Sequence, residues 1–158
     1  MDDIRRRDDE LLQLVTFSTG DGEFGVDILR VQEIIRIMEI TRIPRSPEFV
    51  EGVINLRGKV VPIIDLRRRF SMHTRQHDSD TRIIVIEISG VIVGFVVDAV
   101  SEVLRIPIDT VEPAPPVVAG FDSDYISGVC KLHDRLLILL DLDRLLSAGD
   151  VEILADFC

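Results

Sequence analysis

The chain has 158 residues, 46% of them hydrophobic, with 28 acidic and 18 basic side chains and a formal net charge of -10. That is enough apolar material for one domain or two small lobes. The acidic balance argues against a nucleic-acid partner, because affinity for a polyanion comes from Lys and Arg on phosphates. No apolar run is long enough to span a bilayer, so direct membrane insertion is not expected, and MDDIRRRDDE lacks the apolar core of a signal peptide.

In chain order, Met1–Glu10 is charged and expected to fray. Leu11–Phe17 partly alternates and reads as a strand, Thr19–Gly22 as a turn, and Glu23–Val26 as the return strand. Asp27 then caps an expected short helix over 28–35, with Val31, Ile34 and Ile35 on one face. Ile37–Ile43 is extended, and Ser46-Pro47 is expected to open a short helix that Gly52 ends.

The stretch that organises the chain is Gly52–Phe70, GVINLRGKVVPIIDLRRRF. Two apolar runs flank Arg57-Gly58, which predicts a hairpin with positive φ at Gly58. Asp65 follows as a cap for a short helix. Gly128–Leu146, GVCKLHDRLLILLDLDRLL, aligns with this stretch without a gap, and Gly52/Gly128, Leu56/Leu132, Asp65/Asp141 and Arg68/Arg144 are identical. Ile84–Ile106 likewise lies on Val15–Ile37, matching Gly25/Gly94, Val31/Val100 and Glu33/Glu102. A polar linker, Ser71–Asp80, separates the copies. A proline-rich connection, Asp109–Ser127, holds Pro113, Pro115 and Pro116. Asp150–Phe157 reads as a last helical turn that packs Val151, Ile153 and Leu154.

These patterns predict a mainly β protein: two SH3-like five-stranded barrels related by an internal repeat, joined through an apolar seam, with short connecting helices. The expected halves are residues 11–75 and 80–147, followed by a tail over 148–158. Periodicity leaves open whether strands are exchanged between halves.

The runs FGVDILRVQEI, ITRIPRSPEFVEGVINLRGKVVPIIDLRRRF, GFVVDAVSEVL and GVCKLHDRLLILLDLDRLL together resemble the bacterial chemotaxis coupling proteins of the CheW family, in order and spacing. The resemblance implies a cytoplasmic, non-enzymatic adaptor between the cytoplasmic tips of methyl-accepting chemoreceptors and a CheA-type histidine kinase. A CheA-type module would dock on one barrel end through apolar side chains. At this length no kinase core is expected, and no receiver segment is expected after Leu146. It departs from the family pattern at Arg45, usually Asn, and in the three consecutive arginines Arg67, Arg68 and Arg69.

Five residues form the candidate binding surface: Arg57, Val31, Glu33, Gly58 and Val103. Arg57 at a hairpin tip could be a solvated turn residue. Its guanidinium is also a rigid fork suited to carboxylates, and the copy's tip, His133-Asp134, lacks it. Val31 and Glu33 recur as Val100 and Glu102, which suits local roles in packing or an ion pair with Arg36. The resemblance instead places Val31, Glu33 and Val103 on a receptor groove.

Other chemistry is unpromising. His73 and His77 are four apart but lie in a polar linker that reads as a solvated loop, so no metal is expected. Cys130 and Cys158 lack metal spacing, and a reduced compartment is the plain reading. Asp65, Asp98 and Asp141 read as helix caps rather than acid–base groups. No phosphate cradle or nucleophile motif occurs, so no cofactor is expected. Two further readings stay open: a similar scaffold in a non-flagellar pathway, controlling twitching or a second messenger, and a small-ligand sensor with a site between the barrels.

Overall fold

The computed structural model describes residues 11–113 and 125–157. The expected fraying of Met1–Glu10, the connection around Pro115 and Pro116, and Cys158 lie outside those residues. Eleven strands are described: β1 (Leu11–Thr19), β2 (Gly22–Asp27), β3 (Val31–Arg36), β4 (Val50–Leu56), β5 (Lys59–Asp65), β6 (Arg82–Ile88), β7 (Val91–Val97), β8 (Ala99–Pro107), β9 (Val111–Glu112), β10 (Ile126–Lys131) and β11 (Leu136–Leu140). Three short helices follow hairpins or close the chain: α1 (Leu66–Arg69), α2 (Leu142–Leu145) and α3 (Ala148–Ala155).

The strands form two sheets, ordered β3-β6-β7-β5-β4 and β8-β1-β2-β11-β10-β9. Each sheet's outer strands are joined by consecutive chain. Beyond β3, Thr41 and Val53 of β4 exchange backbone hydrogen bonds of 2.8 Å each. Beyond β8, a 3-10 turn leads into β9, which pairs with β10. The two sheets are consistent with two small SH3-like domains.

The sheets do not follow the sequence halves. The β1–β2 hairpin of the first half lies in the sheet of β8–β11, and the β6–β7 hairpin of the second half lies with β3–β5. The exchange is reciprocal and uses equivalent parallel pairings, Gly25 beside Leu139 and Gly94 beside Ile63. Space is short at Gly94 and tighter than usual at Gly25. A Cβ at Gly94 would sit 2.8 Å from Ile63 Cδ1 and 2.7 Å from Ile83 Cγ2, and one at Gly25 would sit 3.3 Å from Leu139. The halves 11–75 and 80–147 are therefore units of repetition and not of the sheets.

Burial follows from this exchange. Along β6, Ile83 and Val85 join Ile54, Val61 and Ile63 inside the first sheet. Ile84, Ile86 and Ile88 point the other way and join Phe17, Phe24, Ile64, Phe95, Leu145 and Leu154 in a seam shared by both sheets. Leu14, Ile106, Cys130, Leu137 and Leu139 fill the second sheet's interior. A strand buried on both faces reads as a continuous apolar run, as RIIVIEI does.

Several expected local structures change. After Asp27, whose side chain accepts from Leu29 N–H at 3.0 Å, only one 3-10 turn forms, Ile28–Arg30. Of the expected helix over 28–35, residues from Val31 onward form β3, because its β-branched residues pair with β6, with Val31 and Ile35 packed on the core and Ile34 exposed. The expected helix at Ser46-Pro47 is a turn, with the Ser46 hydroxyl donating to Ile43 O at 2.9 Å. Too few residues precede β4 to repay helix nucleation. Asp65 and Asp141 do cap α1 and α2, accepting from Arg67 and Asp143 N–H. Asp98 does not cap a helix. It leads into β8 and accepts from Gly20 N–H at 2.9 Å. In α3, closed by a Ser147–Asp150 capping box, Leu154 is fully buried and Val151 partly so. Ile153, expected to pack, is exposed instead.

Candidate functional site

The β4–β5 hairpin turns through two residues, Arg57 at φ 52° and Gly58 at φ 85°. Two successive positive φ values make a tight turn whose twist suits the flanking strands. Asn55 Oδ1 accepts from Gly58 N–H at 2.8 Å and closes it. An arginine is an unusual first residue for such a turn, since a Cβ is disfavoured in the left-handed region. The equivalent tip in the second copy spans the same number of residues with a different backbone. There Leu132 N–H donates to Arg135 O at 2.8 Å, and neither His133 nor Asp134 has positive φ. His133 therefore does not occupy the same turn as Arg57.

The turn aims Arg57 at Glu33 on β3. Nη1 donates to Glu33 Oε1 at 3.1 Å, and Nη2 makes a second, short bond to Oε2. The two side chains thus meet fork to fork, and the pair remains exposed, Arg57 at 69% and Glu33 at 31%. The hydrogen bond with Arg57 holds the Glu33 carboxyl below its ordinary value and raises the Arg57 guanidinium. An exposed pair like this contributes little to stability. Glu33 therefore pairs across the sheet and not with Arg36, which a strand carries to a different register.

Of the five candidate residues, Arg57, Gly58 and Glu33 come together. Val31 lies on the same strand as Glu33, half-buried against the shared seam. Val103 sits on β8 of the other sheet, opposite Val15 in register, with 51% of its surface exposed. Both Glu33 on β3 and Val103 on β8 occupy the outermost strand of their sheets.

The three consecutive arginines form no basic patch. Arg67 Nε donates to Asp98 Oδ1 at 2.9 Å and Nη2 to Oδ2 at 2.6 Å. Arg68 lies 3.4 Å from Asp65 and reaches Glu48 O. Arg69 donates to Leu145 O at 2.6 Å and stacks over Phe49 and Tyr125, 5.3 and 4.9 Å from their centroids. Each holds separate parts of the chain together. His77 is likewise not a freely solvated loop residue. Its Nε2 lies 2.8 and 3.0 Å from the Glu51 carboxylate oxygens and ties the linker to β4. Asp65 nearby is pushed up by burial and then by the Glu51 charge.

Arg45 has φ 63°. Asn visits this left-handed region at lower cost than Arg does. Arg45→Asn is expected to raise stability by about 0.5–1 kcal/mol, seen as a higher urea midpoint at unchanged slope.

Residues 13–150 match the family profile described as a CheW-like domain. The chain belongs to the CheW family. It is 40% identical over 141 residues to Chemotaxis protein CheW of Klebsiella aerogenes, covering 89% of this chain and 85% of that one. The CheW of Helicobacter pylori is 35% identical over 138 residues, covering 87% and 83%. Protein FrzA of Myxococcus xanthus is 32% identical over 135 residues, 84% of each chain. Among solved structures, the scaffolding protein TtCheW from Thermoanaerobacter tengcongensis superposes with a TM-score of 0.82 at 40% identity, covering 89% of this chain and 91% of its own. CheW membership makes the chain a scaffold-type adaptor and not an enzyme. Among the described residues no helix is long and apolar enough to cross a membrane.

Proposed function

We propose that this CheW-family chain couples the cytoplasmic tips of methyl-accepting chemoreceptors to a CheA-type histidine kinase, working in the cytoplasm at receptor arrays. The observation that carries the reading is the exposed Arg57–Glu33 pair, held at a strained turn inside the GVINLRGKVVPIIDLR stretch that carries the family resemblance. Strain retained at an exposed charged residue fits recognition better than folding. By binding two partners at once, such an adaptor raises their effective concentration and biases the kinase's conformational equilibrium. The similarity to FrzA favours, as a second reading, the same adaptor chemistry in a non-flagellar pathway.

Purified receptor signalling fragment, kinase and this chain should form a co-sedimenting assembly with activated kinase, and omission of the chain should abolish both. Exposed Val60 and Ile34 supply apolar surface on β5 and β3 for the kinase module. Kinase binding should therefore persist as salt rises from roughly 0.05 to 0.5 M, where exposed charge pairs are screened. Collapse of binding over that range would reject apolar docking.

A further inference from the structure

Two arginine–aspartate forks join the sequence halves at related places. Arg67, in α1, grips Asp98 at the end of β7 with bonds of 2.9 and 2.6 Å. Asp143, in α2, accepts from Arg30 just after β2 with bonds of 2.9 and 2.8 Å. Arg30 also donates to Glu87 O at 2.9 Å, while Asp98 also accepts from Gly20 N–H and lies 3.5 Å from Arg75. In the repeat that aligns Asp65 with Asp141, Arg67 aligns with Asp143. In the repeat that aligns Gly25 with Gly94, Asp98 aligns with Leu29, one residue before Arg30.

Each fork thus joins the helix of one half to the exchanged hairpin of the other, and the signs are opposite in the two copies. Had each half kept its own hairpin, the repeat would place Arg67 at Leu29, one residue from Arg30, and Asp143 at Ala99, one residue from Asp98. Both junctions would then lose the opposite charge and set like charges near one another. The Arg67–Asp98 fork is the more buried, with side chains 16% and 14% exposed. There Coulomb terms are screened least.

We propose that the opposed signs of these two forks specify the reciprocal hairpin exchange: they favour β1–β2 and β6–β7 in each other's sheet and penalise the unexchanged arrangement. Hydrophobic pattern alone leaves the choice nearly degenerate, because the two hairpins are repeats of one another and carry Gly25 and Gly94 at the same crossing.

The test reads which strand lies beside β3. Arg36 stands opposite Arg82 in the exchanged pairing. In the unexchanged one, the repeat would put Gln13 there. The full chain with Arg36→Cys, Arg82→Cys and Cys158→Ser is unfolded, refolded under oxidising conditions and mapped for the 36–82 disulfide. With native forks this disulfide should dominate. Arg67→Asp/Asp143→Arg should cut it about tenfold, or prevent folding, because the exchanged form then carries both repulsions. Adding Arg30→Asp/Asp98→Arg should bring it back. A neutral set, Arg67→Met/Asp98→Asn/Arg30→Met/Asp143→Asn, carries no repulsion and should yield a mixture. Full 36–82 cross-linking in the neutral set would overturn the proposal, as would failure of the restored signs to recover it.

Discussion

Arg57→Glu is expected to reduce kinase activation by roughly tenfold or more in a reconstituted receptor–kinase–adaptor assembly, while leaving thermal melting almost unchanged. The pair it breaks is exposed, so little folding energy is at stake. What changes is the charge offered to a partner. Because Arg57 is already engaged by Glu33, the single variant must be read beside two others. Glu33→Arg breaks the same pair from the other side. The combined Arg57→Glu/Glu33→Arg variant restores an intramolecular pair with reversed polarity. If the pair serves only to pin the hairpin tip to β3, the combined variant recovers full activation. If Arg57 meets an acidic or carbonyl-rich surface on the receptor or kinase, the combined variant stays inactive although the tip is pinned. Arg57→Lys keeps the charge and loses the fork, so a partial loss would mark a bidentate contact. Normal activation by Arg57→Glu, full recovery in the combined variant, or loss explained by unfolding would each reject a partner-facing role.

Much of the architecture was legible because the chain states it twice. The hairpin over Gly52–Phe70, its copy, and the caps at Asp65 and Asp141 were readable from turn and cap chemistry, which acts over a few residues. The helix expected over 28–35 failed for a different reason. Val31, Ile34 and Ile35 fit one helical face as well as they fit a strand, and pairing with β6, fifty residues away in sequence, decided it. The exchange was invisible for a related reason. Two hairpins with the same pattern satisfy either sheet, and the charges that distinguish them lie outside the aligned identities.

The candidate site was legible by residue but not by contact. Arg57 and Glu33 stood out separately, each by resemblance, yet nothing local joins positions 24 residues apart. A strand reading of 28–35 would have exposed the pairing, because it would have put Glu33 on a sheet edge. His77 and the arginines of α1 were missed as clamps because their partners, Glu51, Asp98 and Leu145, are distant in sequence. Arg45 was noticed only as a departure, and its left-handed backbone supplies the physical reason.

The largest expected loss of stability from a single methyl group is at Gly52. A Cβ there would lie 2.3 Å from Thr41 O and 2.8 Å from its carbonyl carbon, with Ile40 Cγ2 also at 2.8 Å. Backbone atoms cannot move aside as a flexible side chain can. Thr41 is also the residue whose two 2.8 Å bonds with Val53 tie the chain beyond β3 to β4. Gly52→Ala must therefore either break that bridge or displace β4 from it, at a cost of about 3 kcal/mol or more. Its copy, Gly128, sits under the equivalent closing strand, where a Cβ would meet Val111 Cγ1 at 2.7 Å and Glu112 O at 2.9 Å. The backbone clearance is wider there, so Gly128→Ala should cost less, about 1–3 kcal/mol. Gly58 supplies the control. Nothing lies within 4 Å of its Cβ position, and only the positive φ of 85° resists a side chain. Gly58→Ala should cost about 1 kcal/mol. Urea unfolding of the three variants should rank them Gly52, Gly128, Gly58, with unchanged slopes. A Gly52→Ala variant no less stable than Gly58→Ala would show that the close crossing at Thr41 is not what Gly52 serves.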